Sequence, residues 1–164
     1  MDRVPGCQSA TDRVPGCQSA RVLWGHRHVS QTFDEWHALI AAHLTDPVEH
    51  EQRADGATYF TGGNPGEVVV RLSRSSVTVW EYAVGWDEAY AQIVRPRLIG
   101  TVKWRRVSER AATKAVLALI DAARESRLSK FRVCEQCSER MPPEWMQDDQ
   151  FCVSCAQHQS GAVH

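Results

Sequence analysis

The spacing of apolar residues changes twice along this chain, from helical to alternating and back. Phe33, Trp36, Leu39, Ile40 and Leu44 recur at helical intervals and form one stripe. Thr32 suits the N-cap, and Asp34 and Glu35 fall in the first turn, where the helix dipole favours negative charge. Asp46-Pro47 ends this helix, because the residue before a proline is driven out of the α region. The polar stretch to about Gly56 reads as a loop. Tyr59 and Phe60 precede the turn Gly62-Gly63-Asn64-Pro65-Gly66, after which Val68, Val70 and Leu72 alternate with their neighbours. Residues 73–76 turn the chain back, and 77–84 form a second strand rich in β-branched and aromatic side chains. Residues 86–96 read as a long connection, and 98–107 as a further strand with Val102 and Trp104 on one face. The helical period then returns. Ser108 caps a helix in which Ala112, Ala115, Val116, Leu119, Ile120 and Ala123 share one stripe, and its basic end leads almost directly into Cys134. The pattern predicts an α+β domain over residues 30–131, an antiparallel meander of three or four strands with two helices.

The flanks differ from this domain. Residues 2–10, DRVPGCQSA, are repeated letter for letter at 12–20, and their prolines, glycines and scattered valines offer too little apolar surface to offset ordering entropy. A disordered tail is expected over 1–29, with Cys7 and Cys17 lacking any ligand partner nearby. A translation start at Val29 would place the first residue just ahead of the first capped helix. A small zinc finger is expected over 132–159 and a short tail over 160–164.

With 43% hydrophobic and 24% charged residues, 164 residues suffice for one ordinary core and a small appendage. No apolar run approaches the roughly 18 to 20 residues that span a bilayer, and the N-terminus lacks a signal-like stretch, so a cytoplasmic protein with reduced thiols and no membrane partner is expected. The formal charge of −1 supplies no global field for phosphates.

Cys134, Cys137, Cys152 and Cys155 form two Cys-x-x-Cys knuckles separated by fourteen residues. This is the spacing of a closed tetrahedral Zn²⁺ site, in which four thiolates leave no position for water or substrate. One structural zinc ion is therefore the expected cofactor. His158 is an alternative ligand to one of the cysteines. Zinc binding to such a short segment is worth about 10–16 kcal/mol, more than its few apolar side chains supply, so the metal should decide whether it folds. The run CEQCSERMPPEW followed by FCVSCAQHQ resembles the four-cysteine finger of the DksA/TraR family, with Met141-Pro142 matching that family's apolar-proline step. The resemblance implies the same four cysteines as ligands and a contact with transcription machinery. It spans only the finger. The gap between knuckles is shorter than in that family, Ser138 stands where a glycine is usual, and no helical hairpin of the kind that enters RNA polymerase precedes the finger. The chain as a whole resembles small zinc-finger proteins common in actinobacteria.

From Arg132 onwards two arginines face five acidic residues, Glu135, Glu139, Glu144, Asp148 and Asp149, so the finger itself should repel phosphates. The better basic surface lies on the sheet. If Val68, Val70 and Leu72 face the core, Arg71 faces away, and the same alternation turns Trp80 and Tyr82 outward beside Lys103 and Arg105, a combination suited to single-stranded nucleic acid. If helices cover both faces, Trp80 and Tyr82 are core instead. The Gly62–Gly66 run lacks the Gly-Lys-Ser/Thr ending of a phosphate loop and precedes a strand, so it is a turn. His26 and His28 would share one face of a strand, His37 and His43 lie six residues apart and make no helical metal pair, most histidines are expected at the surface, and no nucleophile has an identifiable base beside it. The expectation is a non-enzymatic regulatory or adaptor protein with a protein partner. RNA or single-stranded DNA binding through the sheet is the alternative.

Overall fold

A computed structural model describes residues 32–89 and 91–159, so the expected tails over 1–29 and 160–164, with Cys7, Cys17, His26 and His28, lie outside the described residues. Helix α1, Phe33–His43, opens on a capping box: the Thr32 hydroxyl accepts from the Glu35 amide at 3.2 Å and the Glu35 carboxylate accepts from the Thr32 amide at 2.7 Å. Four strands follow as hairpins, β1 Val48–Gln52, β2 Thr58–Gly62, β3 Val68–Leu72 and β4 Val77–Glu81. A short hairpin of β5 Val84–Trp86 and β6 Gln92–Val94 leads to β7 Arg97–Val102. Helix α2, Glu109–Leu128, starts at the Ser108 cap. The C-terminal module contains β8 Arg132–Val133, β9 Arg140–Met141 and α3 Val153–Gln159.

The α+β reading holds, but the sheet is larger than expected: five antiparallel strands in the order β1-β2-β3-β4-β7, with two-stranded ribbons β5-β6 and β8-β9 beside it. The added strand, β1, has the sequence VEHEQ and was expected to be loop. Only Val48 is even partly buried, because an edge strand can leave most of its side chains in water while its backbone completes the ladder to β2. The expected strand over 77–84 ends at Glu81, and the expected connection over 86–96 holds β6 and the last residue of its partner β5.

Both helices cover one face. Phe60, Val70, Val79 and Gly100 stand in register across β2, β3, β4 and β7. Against them pack Trp36 and Ile40 of α1 and Val116, Ile120 and Ala123 of α2. Gly100 is where α2 comes closest to β7: a Cβ there would lie 2.8 Å from Leu119 Cδ2. The expected strand over 98–107 breaks after Val102. Lys103 takes φ −85° and ψ 80°, and Trp104–Arg106 coils into one 3₁₀ turn that swings Trp104 into the core, 6.0 Å from the Trp36 ring, with its indole N–H donating to Ser73 O at 3.3 Å. The Gly63 turn is as expected, with φ +92° at Gly63. Among the described residues no helix is long and apolar enough to cross a membrane.

Candidate metal centre

The first knuckle hangs from the β8-β9 ribbon. Its turn is closed by Ser138 N–H donating to Cys134 O at 2.8 Å and Cys134 N–H donating to Glu139 O at 2.9 Å. Ser138 itself sits in the left-handed region at φ 60°, where a glycine would carry no Cβ penalty. The second knuckle is built by a loop and a helix start. The Asp148 carboxylate accepts from the Gln150 and Phe151 amides, each at 2.8 Å, and these bonds hold its pKa below the usual aspartate range. A bridge between Met146 and Cys152 then brings the chain into α3, whose first turn carries Cys155. Between the knuckles, Pro142 is fully buried and Pro143–Trp145 makes a 3₁₀ turn, which together form an elbow.

These elements bring Cys134, Cys137, Cys152 and Cys155 together, with all four sulfurs within 4.8 Å of one another. A tetrahedron of about 2.3 Å metal–sulfur bonds has edges of about 3.8 Å, which fits inside that limit. The charges also fit a cation. Backbone amides of Cys137, Cys152 and Gln136 point at Cys134 and lower its thiol pKa to about 6, the Cys152 N–H lying 3.4 Å from Cys134 Sγ. Cys155 is pushed up to about 12, first by the neighbouring Cys152 thiol and then by burial. The Glu139 amide favours the Cys137 thiolate, but burial and the Cys134 and Cys152 thiols outweigh it and raise its pKa. Four sulfurs crowded this closely form a donor set that a divalent cation would hold together. His158 is exposed and is not among the clustered ligands.

The module docks on the C-terminal end of α2 through buried charges. Arg127, only 2% exposed, pairs with Glu144 of the elbow and donates from Nε to Gly66 O at 3.1 Å. The Arg140 guanidinium donates to Leu128 O. Beside this contact Lys130 pairs with Glu81, which is fully buried at the end of β4 and also accepts from Ser126 Oγ at 2.9 Å. Burial raises the Glu81 pKa, but the Lys130 and Ser126 bonds outweigh it and hold the carboxyl below its ordinary value. Arg127, Glu144 and Glu81 carry no motif. Only the reach of a long basic side chain at a helix C-terminus hinted at Arg127.

The five residues of the anticipated nucleic-acid face are not gathered in one place. Trp80 and Tyr82 are half-buried on the open face of the sheet and line a cleft of about 700 Å³. Arg71 shares that face, but its guanidinium is tied to Asp55 at 2.9 Å. Arg105 lies in a different cleft with Arg74 and Phe33, its guanidinium 5.1 Å from the Trp104 ring, and Lys103 is exposed at the start of the 3₁₀ turn. The expected adjacency fails because the chain coils after Val102, which carries Lys103 and Arg105 out of strand register. Of the paired histidines, His37 packs edge-on against Phe60 at 4.8 Å, while His43 bonds Asp121 at 3.0 Å.

No protein-family model, no curated protein and no solved structure matches this chain, so the likeness of its finger to the DksA/TraR type rests on the cysteine knuckles and the Met141-Pro142 step alone.

Proposed function

We propose that Cys134, Cys137, Cys152 and Cys155 bind one zinc ion as a structural centre, and that the protein is a non-enzymatic regulatory adaptor whose metal-held module contacts a protein partner. The observation that carries this reading is the convergence of the four sulfurs to within 4.8 Å. Softness and number of donors select zinc, and four protein ligands leave it no open position for catalysis. The adaptor role draws on what the module leaves exposed. Trp145 is 44% exposed, and with Met141 and Val153 it lines a cleft of about 410 Å³ that Cys152 also borders. Aromatic anchors beside such clefts are favoured at protein interfaces. Contact with transcription machinery is the specific form that the finger's resemblance suggests.

Elemental analysis of protein purified without chelator tests the metal. One zinc per chain supports the reading, and chain free of any metal, with the thiols intact, overturns it. For the partner, salt-independent co-purification that is lost in Trp145→Ala supports the adaptor. Salt-sensitive retention on single-stranded nucleic acid, lost in a Lys103→Ala/Arg105→Ala variant, would replace it with the nucleic-acid alternative.

A further inference from the structure

The face of the sheet turned away from the helices carries a gradient along one row of the ladder. Leu98, Trp80, Val69, Thr61 and Glu49 stand opposite one another across β7, β4, β3, β2 and β1. The row therefore runs from apolar and aromatic to hydroxyl to carboxylate. Val94, the last residue of β6, and Pro96 just after it wall the apolar end and convert the flat face into the cleft of about 700 Å³. That volume suits a small organic molecule.

The charges of the cleft say which kind. Glu51 and Arg53 satisfy each other at 3.8 Å, and the Arg53 guanidinium lies 3.9 Å from the centre of the Tyr59 ring. Tyr59 thus already holds a cation over its face within this cleft. His50 also borders the cleft, and its ring meets that of His37 edge-on at 5.2 Å. The Glu49 carboxylate forms no hydrogen bond or ion pair with any described residue and supplies the row's own uncompensated charge. An anionic ligand would meet that carboxylate, whereas a cation would be attracted both by it and by the aromatic faces.

We propose that this cleft binds a small arylalkylamine, with its ring against Trp80, Val69 and Pro96 and its ammonium directed along Thr61 to Glu49. Strands are spaced by about 4.8 Å, so Glu49 lies about 10 Å from Val69 along the row. A two-carbon linker puts an ammonium about 5–6 Å from its ring, which brings it within reach of the Glu49 side chain. The site lies in the sheet domain and is independent of the metal reading. A zinc-free but folded domain would still carry it.

Titration of the full chain with tryptamine and 2-phenylethylamine, followed by amide chemical shifts, tests the proposal. The expected result is saturable shifts at Val69, Trp80 and Thr61, with 2-phenylethylamine bound about fivefold tighter than 2-phenylethanol, the scale of an exposed ion pair. Glu49→Gln, an exposed substitution that leaves the fold intact, should erase that preference, and Trp80→Ala should weaken all aryl ligands. The idea is overturned by 3-phenylpropionate or adenosine monophosphate binding as tightly as the amines. It is equally overturned by an amine preference unchanged in Glu49→Gln, or by the absence of saturable shifts.

Discussion

In the α+β domain a cluster of fourteen buried apolar residues joins two helices to one sheet face, whereas over residues 132–159 the only buried residues among those described are Cys134, Pro142 and Cys152. The first region can fold by removing apolar surface from water. The second has no comparable interior, and what converges within it is four sulfurs. Where the two join, charged side chains add a third device. The contact is made by ionised side chains, Arg127 with Glu144, with Lys130 on Glu81 close by. A buried pair such as Arg127–Glu144 adds little net stability over an apolar contact but is costly to break singly, so it fixes how the module seats on α2.

The largest expected effect separates the two regions. A strong chelator, or Cys134→Ser, should unfold residues 132–159 with the loss of about 10 kcal/mol or more of metal binding, while the far-ultraviolet signal of the sheet domain persists. Loss of both regions together, in a chelator titration followed by hydrogen exchange, would contradict their independence. Next comes the core: Phe60→Ala should cost the domain about 3–5 kcal/mol in urea unfolding and leave zinc stoichiometry at one per chain. Arg127→Ala strands Glu144 and should cost about 3 kcal/mol, with part of the loss recovered in the Arg127→Ala/Glu144→Gln double variant. A full additive loss in that cycle would mean the two side chains do not act as a pair.

A pH dependence follows from Glu81, whose folded pKa lies below its ordinary 4.5. Stability gained from its ionised form is fully present above 4.5 and is lost as pH falls through the lower folded value. Unfolding free energy measured from pH 6 downwards should therefore fall less steeply in Glu81→Gln than in the parent chain. The smallest effect belongs to Ser138: glycine at its φ of 60° should stabilise the loaded module by about 1 kcal/mol, read as slower zinc release to a competing chelator.

Much of the molecule is legible in its residues. The stripe of α2 is visible because Ala112, Val116, Ile120 and Ala123 repeat with the helical period and all point at the sheet. The alternation of Val68, Val70 and Leu72 identified the covered face of β3. Spacing gave the four cysteines, since a knuckle is a local geometry set by two intervening residues. Other features left no local trace. The polar β1 pairs only because β2 offers a free edge, and the 3₁₀ turn at Trp104 forms because a large ring fills space beside Trp36 that a straight strand would have left open.

The sequence by itself determined the two helices, the alternating strands and the two cysteine knuckles, because each depends on residues within a few positions of one another. Tertiary structure alone decided that both helices share one face, that Arg127 and Glu81 are each buried against a charged partner, and that Trp80 and Glu49 line one cleft. Those outcomes join residues tens of positions apart, and what selects them is mutual desolvation and sheet register, which no local pattern of residues records.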